Sequence, residues 1–141
     1  MDGLKLWLRK AGNEHEQSMF YNNWTHNHYV SCLFLFFLNG QIGACYINAP
    51  GTCHDSLLAK MGGVYEKVDQ MFAAMGGKII VNSAFARTKH RASLVKSYQS
   101  NVDRQGRFQQ SPALNKDATS VRQLSEWGMR AFQSAFPRVC D

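Results

Sequence analysis

The residues whose spacing could do chemistry gather around one turn. Asn48-Ala-Pro-Gly-Thr-Cys-His-Asp55 follows a long apolar run and precedes an amphipathic one, so it joins a strand to a helix, with Pro50-Gly51 marking the turn. Turns at the C-terminal ends of strands are where α/β sheets place their sites. A His54-Asp55 pair there offers either chemistry or a helix cap, with Thr52 as the N-cap and Asp55 three residues on in the capping-box position. Cys53, His54 and Asp55 are consecutive, whereas a hydrolase triad meets in space from separate segments, so this run is not one. His26 and His28 have the spacing of an HxH metal pair, but nothing else in the chain points to zinc.

Several elements must position these residues. Leu4, Leu6 and Leu8 alternate with other residues, which predicts a strand over 2–8. Residues 10–27 are mixed and polar and read as a loop. Tyr29 to Leu38 is a β-branched and aromatic run, the pattern of a strand buried on both faces. Asn39-Gly40 signals a two-residue hairpin, with a return strand over 41–48. Leu57, Leu58, Met61, Val64, Tyr65, Val68, Met71, Phe72 and Met75 fall at helical spacing, interrupted by Gly62-Gly63 and stopped by Gly76-Gly77. Lys78 to Asn82 is a short strand, and the strand–helix–strand order implies a right-handed parallel crossover. Residues 83–117 read as a basic insertion with one helix over 92–98. Residues 119–136 are helical, with Val121, Leu124, Gly128, Ala131, Phe132 and Ala135 as the packed stripe and Pro137 as the stop.

The chain's 141 residues suffice for one domain. Its longest apolar run, from Val30 to Leu38, is too short to span a bilayer, and the first residues lack a signal-peptide pattern. Cys32, Cys45, Cys53 and Cys140 show no CxxC spacing and read as free thiols in a reducing compartment. The net charge of +6 is unevenly placed: residues 1–86 are neutral, and residues 87–138 hold ten bases against Asp103, Asp117 and Glu126. A neutral half joined to a basic half fits a polyanionic partner, nucleic acid first, or a solvated basic surface.

Five segments carry a resemblance in their order: Met1-Asp-Gly-Leu-Lys-Leu, Phe20-Tyr-Asn-Asn-Trp-Thr-His-Asn-His28, Pro50-Gly-Thr-Cys-His-Asp-Ser56, Lys78-Ile-Ile-Val-Asn-Ser-Ala-Phe85 and Glu126-Trp-Gly-Met-Arg130. Over residues 1–137 the chain resembles the catalytic domain of PIF/Harbinger-type DDE transposases, within the DDE superfamily endonucleases. The resemblance implies a ribonuclease-H-like α/β fold, a mixed sheet of antiparallel hairpin strands plus a parallel strand flanked by helices. It implies a DNA nuclease that holds divalent Mg or Mn on three carboxylates, because two ions about 4 Å apart activate the attacking oxygen and stabilise the leaving one.

Carried onto this sequence, the first acid is Asp2 and the third is Glu126, whose neighbours Arg122 and Arg130 at i−4 and i+4 also allow plain helix-surface pairing. The second position departs: Asn82 stands where the family has Asp. A neutral amide leaves two like-charged ions poorly screened, so the expected nuclease is impaired, with Asn82→Asp restoring part of its activity. Asp55, with His54 beside it, reads as support for the site or as a helix cap rather than as one of the three acids. Arg87, Lys89, Arg91 and Lys96 would meet DNA phosphates; Tyr98 and Phe108 would stack on bases or pack. The resemblance further implies a nuclear setting, no membrane, a separate DNA-binding partner protein and a catalytic domain cut short before Asp2. The rival reading is a transposase remnant that binds DNA or protein without catalysis.

Overall fold

The computed structural model describes residues 1–9, 13–85 and 92–136. Its centre is β3 (Asn27–Phe36), flanked by β1 (Asp2–Trp7) on one side and β4 (Ile42–Pro50) on the other, all antiparallel. The register places Asp2 opposite Phe34 and Trp7 opposite Tyr29. A short β2 (Tyr21–Asn22) pairs with the start of β3. The turn after β3 is one residue longer than Asn39-Gly40 implies. Phe37 and Gln41 close it (N···O 2.8 Å), and Gly40 takes φ +83°, the left-handed conformation a three-residue hairpin loop requires.

β3 is buried on both faces as its composition predicts, and alternation divides its side chains between two cores. Leu33 and Leu35 join Met1, Leu58, Val64, Val68 and Phe85 under α2 (Asp55–Met61) and α3 (Val64–Met75). Cys32 and Phe34 join Leu4 and Met129 under α4 (Pro112–Ala135). Glycines 62 and 63 separate α2 from α3 as expected, and Gly76 ends α3.

A second sheet consists of β5 (Ile79–Val81) and β6 (Leu94–Lys96), paired parallel from Ile79–Leu94 to Val81–Lys96. The parallel partner of β5 is thus the segment read as a helix near 92–98. Leu94 is fully buried there, and a three-residue strand leaves no periodicity to read. The Met1 nitrogen donates to the Ile80 carbonyl (2.9 Å), which brings β1 beside β5 where the two sheets meet.

Two more expectations change. Residues 14–20 form α1 (Glu14–Phe20), a helix with no buried residue and therefore no apolar stripe to announce it. Helix α4 begins at Pro112, in the first-turn position proline favours, so the supposed insertion ends sooner than 117. Its buried residues are Ala118, Ser125 and Met129; Ala131 and Ala135 are exposed, while Phe132 between them packs on Phe34. Cys32, Cys45 and Cys53 are free, and Cys140 and Pro137 lie outside the described residues. Among the described residues no helix is long and apolar enough to cross a membrane.

Candidate active site

Asp2 and Asn82 meet where the two sheets join. Asp2 lies at the start of β1, and its Oδ1 accepts from the Gly3 amide (3.0 Å) and from Asn82 Nδ2 (3.2 Å). Asn82 follows β5 directly, and its own Oδ1 accepts from Ala84 N (2.9 Å), an Asx turn that fixes the side chain. The amide therefore has a set orientation: its oxygen faces its own backbone and its N–H faces the carboxylate. These residues are eighty positions apart in sequence.

Asp55 joins them. Helix α2 starts at Asp55 itself, and the residue that caps it is His54, whose Nδ1 accepts from Leu57 N (3.2 Å). Thr52 is not the cap, because Cys53 N closes a turn on Pro50 O (3.0 Å) and leaves Thr52 inside it. As the first helical residue, Asp55 complements the helix dipole while its side chain reaches across to β1. A Cβ built on Gly3 would stand 2.2 Å from Asp55 Oδ1, so only glycine at position 3 lets the carboxylate approach the strand beside Asp2. Burial and the neighbouring Asp2 carboxylate push the Asp55 acid above its ordinary range; Asn82, Lys5 and His54 draw it partly back. The signal for this meeting was Asp2-Gly3 itself: an interior strand glycine marks a close approach, and nothing in the sequence names what approaches.

Gly3→Ala is expected to expel the Asp55 side chain from β1 and return its pKa toward the ordinary value. An NMR titration of the Asp55 carboxyl carbon checks this; an unchanged titration in the variant would sink the role given to Gly3.

Glu126 stands apart. Its Oε1 accepts from Arg122 Nη2 at 2.6 Å, the surface pair its i−4 spacing allowed, with the Glu126 side chain 39% exposed. Among the described residues no three His, Cys, Asp or Glu side chains group to hold a metal ion. His26 and His28 are held by Tyr21 instead: its hydroxyl lies 3.3 Å from His26 Nδ1, and its ring packs on that of His28. Of the expected DNA contacts, Arg87, Lys89 and Arg91 lie outside the described residues. Lys96 donates from Nζ to the Ser83 carbonyl (3.1 Å), Tyr98 is partly buried, and Phe108 is exposed.

The donor set fits one hard divalent cation. Asp2 and Asp55 bring carboxylate oxygens together, and the burial and repulsion that hold the Asp55 acid up are what a cation relieves. It does not fit a pair of ions, since Asn82 contributes an N–H where a third carboxylate oxygen is needed and Glu126 faces Arg122.

A family model described as DDE superfamily endonuclease matches residues 1–139, nearly the whole chain. No curated protein and no solved structure matches it. The chain belongs to the DDE superfamily endonuclease family.

Proposed function

We propose that this is a transposase-derived, ribonuclease-H-like domain of PIF/Harbinger type that binds DNA and one divalent cation, Mg or Mn, and is impaired as a nuclease. The fold reading is supported by the antiparallel order β4-β3-β1 together with the separate parallel pair β5–β6, which the Met1–Ile80 hydrogen bond ties to the start of β1. The observation that carries the functional reading is the Asn82 amide donating to Asp2, because it fills with a neutral donor the place of a second acid. Asp2 and Asp55 would hold the ion. Lys5, whose Nζ lies 4.5 Å from the Tyr29 ring centroid, supplies positive charge beside Asp55. When bound, such an ion polarises a phosphoryl oxygen. Asn82 fixes the orientation of Asp2. The family lineage adds a nuclear setting and a separate DNA-binding partner.

The same amide also favours the second reading, a DNA-binding module without catalysis. Calorimetry with Mg²⁺ and Mn²⁺, alongside DNA binding at two salt concentrations, separates the two. Weak single-site metal binding with salt-dependent DNA binding supports the proposal. DNA binding with no metal binding supports the module, and two ions with robust cleavage overturn the impairment.

Asp55 gives the site a pH signature. Its folded pKa is raised, so between the unfolded and folded values the native state holds the extra proton. Stability therefore falls as pH rises through that window. Asp55→Asn is expected to be the more stable protein at neutral pH, with the difference vanishing on acidification, and to lose the small stabilisation by Mg²⁺ expected of the unaltered protein. Urea unfolding across pH, with and without Mg²⁺, measures both; a variant less stable at neutral pH would contradict the assignment.

A further inference from the structure

A cavity of about 240 Å³ opens on the far side of Asn82. Its walls are the segment 82–84 after β5, the segment 97–99 after β6, and Thr119 and Arg122 of α4. It thus sits at the C-terminal ends of the two parallel strands, where such sheets leave room for ligands. Half of its surface is polar, and Arg122 is the guanidinium that lines it. Lys96 donates from Nζ to the carbonyl of Ser83, one of the lining residues. The carboxylate that balances Arg122 is Glu126, from the same helix face one turn on.

That pairing is weakly held. The Arg122 side chain is 21% exposed and Glu126 39%, and a partly exposed i,i+4 pair on a helix contributes little. A phosphate offers the same guanidinium two parallel hydrogen bonds and more negative charge. Glu126 can turn into solvent with little loss, because it is not buried.

We propose that this cavity takes a backbone phosphate of DNA on Arg122, and that Glu126 competes with that phosphate for the same guanidinium. The inference rests on DNA as the partner, and it locates the strand relative to the carboxylates: one phosphate on the β6 side of Asn82, with Asp2 and Asp55 on the other. Arg122 is a positioning residue here. Free Arg122 and bound DNA go together, and so do free DNA and the Arg122–Glu126 pair. Phosphate entry thereby frees Glu126 from its pair with Arg122.

The test uses the full chain in EDTA, so that neither metal binding nor cleavage contributes. Fluorescence anisotropy with a labelled duplex is measured over a range of salt for the unaltered protein, Arg122→Gln, Glu126→Gln and the double variant. Arg122→Gln is expected to weaken binding about tenfold and to reduce the salt slope by about one, as loss of one phosphate contact does. Glu126→Gln is expected to tighten binding severalfold, and the gain should disappear when Arg122 is also replaced. Asp117→Asn, which removes an equal charge from an exposed position of the same helix, should change affinity less than Glu126→Gln. Arg122→Lys, which keeps the charge and loses the fork, should fall between. Inorganic phosphate alone should shift the Arg122 Nε NMR signal if the cavity recognises phosphate itself; a shift seen with DNA and not with phosphate assigns recognition to the strand. A Glu126→Gln gain that persists without Arg122, an unchanged salt slope in Arg122→Gln, or no Arg122 shift with either probe overturns the proposal. Failure of metal binding leaves all of these readouts intact, so the two readings fall separately.

Discussion

Asn82→Asp is expected to make the folded protein depend on a divalent cation. Today the Asn82 amide donates to Asp2 and lowers the repulsion that Asp2 exerts beside Asp55. An aspartate there replaces a donor with a third acceptor among two carboxylates already pressed together. Two unit charges 4 Å apart at an effective dielectric of 20 repel by about 4 kcal/mol, part of which proton uptake relieves. Without metal the variant should therefore lose on the order of 2–4 kcal/mol. A cation reverses the sign of the argument, because three carboxylates suit it better than two carboxylates and an amide. An ion present at a hundred times its Kd returns about 2.7 kcal/mol. Urea unfolding in EDTA and in excess Mg²⁺ should give curves far apart for the variant and close together for the unaltered protein. Metal-dependent nicking of supercoiled DNA should return in part. Equal stability of the variant in both buffers would remove Asn82 from the centre of the site.

Phe85→Ala should unsettle the site through packing alone. Phe85 is fully buried in the main core with Leu58, Val64 and Val68, and it follows the Asx turn of Asn82 by three residues. Its ring anchors the segment that carries Asn82 off the end of β5. Truncating a fully buried phenylalanine costs about 3–5 kcal/mol, of the order of a small domain's whole stability. Thermal or urea unfolding should show this loss, and Phe85→Leu should recover most of it by filling the space. A loss below about 1 kcal/mol for Phe85→Ala would mean that the core does not depend on this side chain.

Several elements were legible because their signal is local. The apolar run of β3 says that both faces are buried, and both are: Leu33 and Leu35 under α2–α3, Cys32 and Phe34 under α4. Gly62-Gly63 divides two helices because consecutive glycines make helix costly in any context. Other elements gave no local sign. β6 is three residues long in a polar stretch, and its strand state comes from pairing with β5. His54 took the capping role from Thr52 because the helix starts two residues later, after the turn closed by the Cys53–Pro50 hydrogen bond.

The site divides the same way. The sequence by itself determined the family, through motifs in order, and it set a neutral amide at position 82, because a residue's type is a local property. It determined too that Glu126 has an arginine within reach, since i,i+4 neighbours on a helix meet whatever the fold. Only the tertiary structure decided that Asp55 lies beside Asp2. That proximity depends on the side chain of the first residue of α2 reaching Gly3 of β1, where the absence of a Cβ leaves room for a carboxylate. The turn from Asn48 to Asp55 holds residues that chemistry could use, and the room left by one glycine sets which of them reaches Asp2.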